Sequence, residues 1–230
     1  MQNNVVIALF IALLPSKWKI VVMRHLGAHI GNDCYIGFSV ISSHRISIGD
    51  HVQFASFNLI HRLNDLSLGD GSRIGSFNWI TGAGTGNFRL GRNSAITRLH
   101  FFEASGSIHI GENSIIAGRG THLFTHGISS TNLDDVRPIA IGPWCYIGSS
   151  SRFVPGVSIG RGTFIGMGSV VAKSFDDQFV LVAGNPAQVR KHLSEEDAYF
   201  ARPFLPHDHH PIGYKGGRPD HGDSDKVEIS

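Results

Sequence analysis

Cysteine, net charge and long hydrophobic runs are all scarce in this 230-residue chain. The two cysteines, Cys34 and Cys145, form no metal-ligand pair by spacing, so a reducing compartment is the simplest interpretation. A formal net charge of +2 leaves no electrostatic footprint for nucleic acid. The N-terminal apolar run from Val5 to Leu14 is ten residues long, whereas a helix needs about 20 to span a bilayer. The chain is therefore expected to bind no nucleic acid and to have no spanning helix in this region.

Glycine is abundant, with 28 residues, and between residues 30 and 166 eleven of them directly follow an isoleucine or leucine. The eleven pairs are Ile30-Gly31, Ile36-Gly37, Ile48-Gly49, Leu68-Gly69, Ile74-Gly75, Leu90-Gly91, Ile110-Gly111, Ile141-Gly142, Ile147-Gly148, Ile159-Gly160 and Ile165-Gly166. Ile30 and Ile48 are 18 residues apart, as are Ile141 and Ile159. A period of six within a repeat of 18 predicts three short strands per coil, the hexapeptide form of the parallel β-helix. An ordinary β-sandwich does not keep such a register.

Each aliphatic residue of these pairs is expected to point into the coil and to stack on its counterpart one coil away, about 4.8 Å along the axis. The glycine that follows is expected to supply the backbone angles that a corner needs. A helical interpretation fails because a period of six does not keep one helical face apolar.

The ladder of pairs is irregular in the middle of the chain, where successive coil steps are 20, 22, 20 and 31 residues. The longest step, from Ile110 to Ile141, exceeds a coil of 18 by about 13 residues and predicts a loop at 121–138. Loops on rigid scaffolds tend to carry function. A smaller surplus falls in the glycine-rich run 81–87, which lacks the lysine and following helix of a phosphate loop and is interpreted as a wide corner.

The termini differ in composition from the repeats. Residues 1–29 are predicted to form an apolar, helical cap, residues 30–172 the β-helix, residues 173–202 a segment with a helix starting near Ser194, and residues 203–230 a polar, histidine-rich tail. A short helix at 17–27 would cap the open coil, or would serve as a basic, aromatic membrane anchor. His207, Asp208, His209 and His210 are more simply a solvated tail than a metal site.

Several segments together resemble the hexapeptide-repeat acyltransferases, which form left-handed β-helices. The matching segments are Leu26-Gly27-Ala28-His29-Ile30-Gly31, Thr125-His126-Gly127, Ile141-Gly142-Pro143-Trp144-Cys145-Tyr146-Ile147-Gly148, Val154-Pro155-Gly156-Val157-Ser158-Ile159-Gly160 and Ala183-Gly184-Asn185-Pro186-Ala187. The resemblance is strongest to sugar O-acetyltransferases of bacterial surface-polysaccharide pathways. Maltose and galactoside acetyltransferases are more distant, and an asparagine characteristic of the galactoside branch has no match here.

This resemblance implies an all-β, left-handed parallel β-helix with short terminal helices. It also implies acetyl-CoA as co-substrate, a sugar or glycan acceptor, and a homotrimer whose active sites are shared between subunits. No metal ligand is assigned. A cytoplasmic location is expected, with peripheral membrane association through residues 1–24 left open.

Acetyl transfer to a hydroxyl needs a general base, and histidine suits that role near neutral pH. The family's catalytic histidine follows a threonine at the edge of the extra loop, which corresponds to His126. His122 falls on a repeat position and is expected to belong to the coil wall. His100, Glu103 and Asp134 are the predicted acceptor-binding or orienting residues.

The predicted cofactor-binding residues lie toward the C-terminal end of the β-helix. They are Tyr146, Gly148, Ser149, Gly166, Lys173, Ala183, Gly184, Pro186, Arg190 and Lys191. Exposed backbone of the small residues would bond the pantetheine amides, and the cations would meet the phosphates.

Three other functions stay open at this point. The first is an N-acetyltransferase acting on an amino sugar, which has the same fold. The second is a zinc hydratase resembling the γ-carbonic anhydrases, for which His100, His122 and His126 are the candidate ligands. The third is a non-catalytic β-helix that acts as a scaffold.

Overall fold

A computed structural model describes residues 5–128 and 132–202, and these form a left-handed parallel β-helix. The strands, in chain order, are β1 (His29–Ile30), β2 (Tyr35–Ile36), β3 (Val40–Ile48), β4 (Gln53–Phe54), β5 (Leu59–Leu68), β6 (Arg73–Ile74), β7 (Trp79–Thr81), β8 (Asn87–Leu90), β9 (Ala95–Ile96), β10 (Phe101–Glu103), β11 (Ile108–Ile110), β12 (Ile115–Ile116), β13 (His122–Phe124), β14 (His126–Gly127), β15 (Asp135–Val136), β16 (Ile139–Ile141), β17 (Tyr146–Ile147), β18 (Arg152–Phe153), β19 (Ser158–Ile159), β20 (Phe164–Ile165), β21 (Val170–Val171), β22 (Val180–Gly184) and β23 (Ala187–His192). The helices are α1 (Val5–Ala12), α2 (Ser16–His25) and α3 (Ala198–Ala201). The predicted fold class is confirmed.

The strands build the three faces of a prism. Face A contains β1, the second halves of β3 and β5, and then β8, β11, β16 and β19; face B contains β2, β4, β6, β9, β12, β17, β20 and β22; face C contains the first halves of β3 and β5, and then β7, β10, β13, β18 and β21. Because β3 and β5 bend from face C to face A, these two faces share one 12-stranded sheet. The coil edges are therefore named A/B, B/C and C/A in the order that the chain follows.

The aliphatic residues of the repeat stack in register inside the prism. On face A, Ile30 pairs with Ile48, and Ile141 pairs with Ile159. On face B, Ile147 pairs with Ile165. All of these side chains are buried in one continuous apolar core. The stacking predicted from the 18-residue spacing is thus confirmed.

The glycine of each aliphatic–glycine pair is required for a different reason from the one the sequence suggests. None of the eleven has a positive φ; the left-handed corner positions belong to residues such as Asp33 and Asn93. A Cβ at Gly75 would lie 2.0 Å from the carbonyl oxygen of Thr97 in the next coil, and one at Gly111 would lie 2.5 Å from the backbone nitrogen of Pro143. Close approach of successive coils, and not backbone angle, therefore excludes a side chain here.

The two N-terminal helices cover the open end of the first coil. Met23 of α2 is buried, and so is Lys19, whose Nζ donates to the carbonyl oxygens of Ile36 (3.4 Å) and Gly37. Burial lowers the pKa of Lys19. The interpretation of this segment as a cap therefore agrees with the packing of its inner side. Within the described ranges, every helix is too short or too polar to cross a bilayer.

The C-terminal segment differs from the prediction in two respects. The β-helix does not stop at 172, because β22 pairs in parallel with β20, and β23 then folds back antiparallel on β22. The last helix begins at Ala198 and not near Ser194, since Ser194 and Asp197 form a turn in which the Ser194 N–H donates to the Asp197 carboxylate at 3.3 Å. Tyr199 of α3 packs edge-on against the ring of Phe164, with centroids 4.7 Å apart, so this packing fixes the helix.

Truncation of an inward aromatic residue should destabilise the coil far more than truncation of an outward one. Phe102 is fully buried between the rings of Phe88 and His100, each with its centroid 5.9 Å away. We expect Phe102→Ala to lower the free energy of unfolding by about 3–5 kcal/mol. The matched control is Phe77→Ala, whose ring is 53% exposed. The measurement is guanidinium unfolding monitored by circular dichroism. Equal denaturation midpoints for the two variants would contradict this expectation.

Candidate active site at the C/A edge

Almost all of the extra residues of the irregular coils lie at one edge of the prism. The segments that join an inward residue of face C to the next inward residue of face A are 60–68, 80–90, 102–110 and 123–141. The two inward residues that bound each segment are 8, 10, 8 and 18 positions apart in the sequence, whereas those of the regular segment 153–159 are 6 positions apart. The C/A edge therefore carries a row of protruding segments that the other two edges lack.

The predicted long loop is a small hairpin on this edge. Its strands β14 and β15 are antiparallel, with His126 opposite Val136 and Gly127 opposite Asp135. Arg137 ends the hairpin with a two-pronged ion pair to Asp135, at 2.7 and 2.8 Å. Residues 129–131, between these strands in the sequence, lie outside the described residues. The hairpin holds His126 in an exposed position beside the coil.

A cleft of about 500 Å³ opens between the hairpin and the three preceding protruding segments. It is lined by Arg62, Thr81, Gly82, Ala83, Thr85, Glu103, Ser105, His126, Asp134 and Val136. The structure thus brings together three predicted site residues, His126, Glu103 and Asp134. It adds Arg62 and the glycine-rich corner, which sequence reasoning interpreted as a wide turn without linking it to the site. The residue surplus in each of these coils is the signal that could have identified them.

Glu103 anchors the residue that precedes His126. The buried Thr125 hydroxyl lies 3.0 Å from a carboxylate oxygen of Glu103 and 2.9 Å from its carbonyl oxygen, and it accepts the Gly106 N–H at 2.8 Å. The backbone N–H of Ser105 donates to the other carboxylate oxygen at 3.0 Å, and the Ser105 hydroxyl also donates to it. Because both oxygens of Glu103 are engaged, its carboxylate fixes the base of the hairpin while one side still faces the cleft.

His100 does not line the cleft. Its ring is buried inside the coil, where Nδ1 accepts the Thr121 N–H at 3.1 Å and Nε2 lies 2.9 Å from the Thr97 hydroxyl. Burial, and then the nearby His122, lower the pKa of His100 to about 4. A histidine held in this way is a structural residue of the coil, because neither nitrogen is available to an acceptor sugar. The sequence carries the signal: Asn58 and Asn78 occupy the same position two residues before an inward residue.

His122 lies on the outer surface of face C, in strand β13, which directly precedes the hairpin. It pairs with Phe101 on one side and Arg152 on the other, and its ring meets Phe101 and Phe124 edge-on. Burial, followed by the charge of Arg152, lowers its pKa. The structure therefore places His122 in the coil wall, as its repeat position suggests, and outside the cleft.

Most of the predicted cofactor-binding residues lie on or beyond a different edge of the same chain. Gly148, Ser149 and Gly166 follow strands of face B and therefore form the B/C edge. Ala183 and Gly184 end β22 at this edge, and a cis peptide bond joins the next residue, Asn185, to Pro186. Within one chain, the cleft at the C/A edge and this group are thus separated by the width of face C.

The larger predicted cofactor residues have varied surroundings. Arg190 bonds the carbonyl oxygen of Ala183 at 3.0 Å, and Lys191 is exposed on β23. Lys173 is exposed, with its Nζ 5.5 Å from the centroid of the Phe175 ring. Tyr146 lies on face B, stacked on Phe164 and half-buried under α3. The two lysines are accessible to an anion, whereas Tyr146 is mainly a packing residue.

Comparison with known proteins identifies the repeats. A profile described as the hexapeptide repeat of succinyl-transferase matches residues 138–173. The galactoside O-acetyltransferase of Escherichia coli K12 is 30% identical over 119 residues, which are 50% of this chain and 58% of that protein. The bifunctional protein GlmU of Alkalilimnicola ehrlichii is 27% identical over 66% of this chain and 37% of that protein. The chain thus spans between about a third and three fifths of these relatives' length.

A solved structure supports the same architecture. The N-acyltransferase AntD from Bacillus cereus, determined with dTDP and 3-hydroxybutyryl-CoA, superimposes with a TM-score of 0.57 at 17% identity, covering 79% of this chain and 92% of that one. At this identity the likeness concerns the fold. With the repeat profile and the sequence relatives, it confirms the resemblance to the hexapeptide-repeat acyltransferase family.

The structural role of His100 predicts a specific pH dependence of stability. The free imidazole pKa is 6.5 and the folded value is about 4, so between these values the unfolded chain binds a proton that the folded chain does not. Stability should therefore fall as the pH drops from 6.5 to 4, by up to about 3 kcal/mol. His100→Asn should retain the fold, because Asn58 and Asn78 accept the same kind of N–H bond, and should lose this part of the slope.

The measurement is a series of guanidinium unfolding midpoints between pH 4 and pH 7 for the parent and His100→Asn. His25→Asn, at an exposed position, controls for the loss of a titrating imidazole. An unchanged slope in His100→Asn, or an unfolded variant, would contradict the assigned role.

Proposed function

We propose that the protein is an acetyl-CoA-dependent O-acetyltransferase that acts on a sugar or glycan precursor in bacterial surface-polysaccharide synthesis, with His126 as general base. The observation that carries this proposal is the position of His126 in an exposed hairpin at a cleft shared with Glu103 and Asp134. The sugar acetyltransferase relative supports it.

In the proposed mechanism, the His126 imidazole takes the proton of an acceptor hydroxyl as its oxygen attacks the thioester carbonyl. The new C–O bond forms, the C–S bond breaks, and the thiolate of CoA takes the proton back from the imidazolium. Asp134 would accept hydrogen bonds from sugar hydroxyls. Glu103 acts as a positioning residue, because its contacts with Thr125 hold the base of the hairpin. Arg62, exposed at the far side of the cleft, would bind an anionic or polar group of the acceptor.

The acetyl-CoA donor would lie along the B/C edge, with Gly148, Ser149, Gly166, Ala183, Gly184 and Pro186 offering backbone groups to the pantetheine arm. Lys173, Arg190 and Lys191 supply the positive charge for the phosphates. Since this edge is separated from His126 within one chain, the base of one copy would meet the donor on a neighbouring copy. The proposal therefore includes a cyclic homotrimer whose sites lie between neighbouring subunits.

Transfer to an amine is the second candidate, because the superimposable AntD is an N-acyltransferase. A zinc hydratase is less well supported. Both ring nitrogens of His100 form hydrogen bonds within the coil. His100 could therefore bind a metal together with His122 and His126 only if one of these hydrogen bonds were broken. A panel of free sugars, nucleotide sugars, amino sugars and lipid-linked glycans, scored by thiol release, would decide between oxygen and nitrogen acceptors.

Replacement of the proposed base tests the mechanism directly. His126→Ala should reduce turnover by about 10²–10⁴-fold, the usual contribution of a general base, while acetyl-CoA affinity is retained because the donor residues are untouched. His122→Ala is the matched control and should cost much less. Turnover and calorimetric CoA binding are measured for both. A dead, folded His122→Ala beside an active His126→Ala would move the base to His122.

Mixed oligomers test the shared site. His126→Ala and the double variant Lys173→Glu with Lys191→Glu should each be inactive alone, the first lacking the base and the second the phosphate site. Co-expressed as differently tagged chains and purified through both tags, they should regain about a third of parental activity, because one of the three sites of each mixed trimer then combines an intact base with an intact donor edge from its neighbour. No recovery in purified mixed oligomers would show that each site is built within one chain.

A further inference from the structure

A broad apolar surface is exposed at the N-terminal end of the β-helix, far from the cleft. Helix α1 is apolar on every side, but only Ala8, Ile11 and Ala12 are buried. A helix without a polar face normally has its whole surface covered. Large hydrophobic side chains remain exposed along the two helices and the turn between them, namely Val5, Val6, Ile7, Leu9, Phe10, Leu13, Trp18 and Val21.

The coil extends this surface. Phe38 and Phe57 protrude from the B/C edge of the first two coils, and a groove of about 480 Å³ runs between them and α1. The groove is lined by Val6, Leu9, Phe10, Ala12, Leu13, Phe38, Val40 and Phe57. The ring of Phe57 stacks on Phe77 of the next coil, with centroids 5.2 Å apart. We call the groove and the exposed residues of α1 and α2 the docking face.

The chain segment that supplies the helices of the docking face carries charges of one sign. Residues 1–32 contain no aspartate or glutamate, and the first acidic residue is Asp33. On α2, Lys17, Trp18, Val21 and Arg24 form one exposed stripe that mixes basic and apolar side chains. This combination matches the boundary of an anionic bilayer, where apolar groups enter the acyl region and cations meet the headgroups.

We propose that the docking face binds the surface of an anionic lipid bilayer, with α1 lying in the plane of the interface. Eight residues of helix extend about 12 Å, too little to cross a core of about 30 Å. A second copy is a poorer occupant, because a two-fold interface would bring together two copies of the α2 stripe, whose charges are all basic. His126 lies four strand spacings from the first coil, about 19 Å along the axis, so the cleft stays in water when the docking face is bound.

The test is co-sedimentation of the full chain with vesicles of phosphatidylcholine alone or with about 30% phosphatidylglycerol. The parent should bind the anionic vesicles, and less so at high salt. Phe10→Glu combined with Leu13→Glu should weaken binding at least about tenfold, and both side chains are exposed enough, at 71% and 72%, to be replaced without unfolding. Lys17→Ala should weaken binding about fivefold on anionic vesicles only.

The control is Met167→Glu, which adds one negative charge, half of that in the double variant, at an exposed apolar residue near the opposite end of the coil and should bind like the parent. Absence of vesicle binding by the parent overturns the proposal, and so does equal binding by the Phe10 and Leu13 variant. Light scattering runs in parallel. A parent whose oligomer loses subunits on the Phe10→Glu, Leu13→Glu change, without vesicle binding, would assign this face to a second copy. None of these measurements depends on enzymatic turnover.

Discussion

The close approach of glycine backbones between successive coils is the constraint on which the rest of the structure depends. At the A/B edge a glycine follows the inward residue in seven successive coils, from Gly31 to Gly160. A Cβ at Gly91 would lie only 2.4 Å from the backbone nitrogen of Glu112, so the chain there cannot carry a side chain. Six residue steps separate the inward residues of faces A and B in every coil, as from Ile30 to Ile36. At the C/A edge no glycine follows the inward residue. All the protruding segments lie at this edge, and they contain all but one of the surplus residues.

Sequence spacing therefore contains more about the site than a repeat count reveals. The period of six predicts the fold, and the stacking partners follow from it without further information. The edge that carries the cleft can also be identified from the sequence, because all but one of the surplus residues of four coils lie between an inward residue of face C and the next inward residue of face A. What residue type alone cannot show is whether a given polar residue points into the coil or out of it; for His100 that information lies in the register that it shares with Asn58 and Asn78. His100 and Glu103 are three residues apart, yet one is buried in the interior and the other faces the cleft.

The interior position of His100 belongs to a polar stack that runs beside the aliphatic ladders. Along the B/C edge, Asn58 donates its N–H to the Ser39 hydroxyl, Asn78 to the Asn58 amide oxygen, His100 to the Asn78 amide oxygen, and Thr121 to the His100 ring, at 2.9 to 3.1 Å. Each side chain satisfies the backbone of the following coil, which is how buried polar groups are tolerated. In the coil before the hairpin, the ring of His100 occupies the position that asparagine holds in the two preceding coils. Its position was not predictable from residue type, because histidine in a site and histidine in such a stack look alike in one sequence.

The three edges of the prism thus differ in the features that they carry. The A/B edge is closed by glycine and carries only the stacking; the C/A edge accepts insertions and carries the histidine, the two acids and the arginine of the cleft. The B/C edge has small residues at its C-terminal end, at Gly148 and Gly166, and large aromatic ones at its N-terminal end, at Phe38 and Phe57. The proposed acetyl-CoA and the proposed bilayer surface would therefore contact different parts of the same edge and would not compete. Since each coil contacts chiefly its neighbours, changes in the protruding segments alter the cleft while the stacked interior, and with it the position of both other edges, stays fixed.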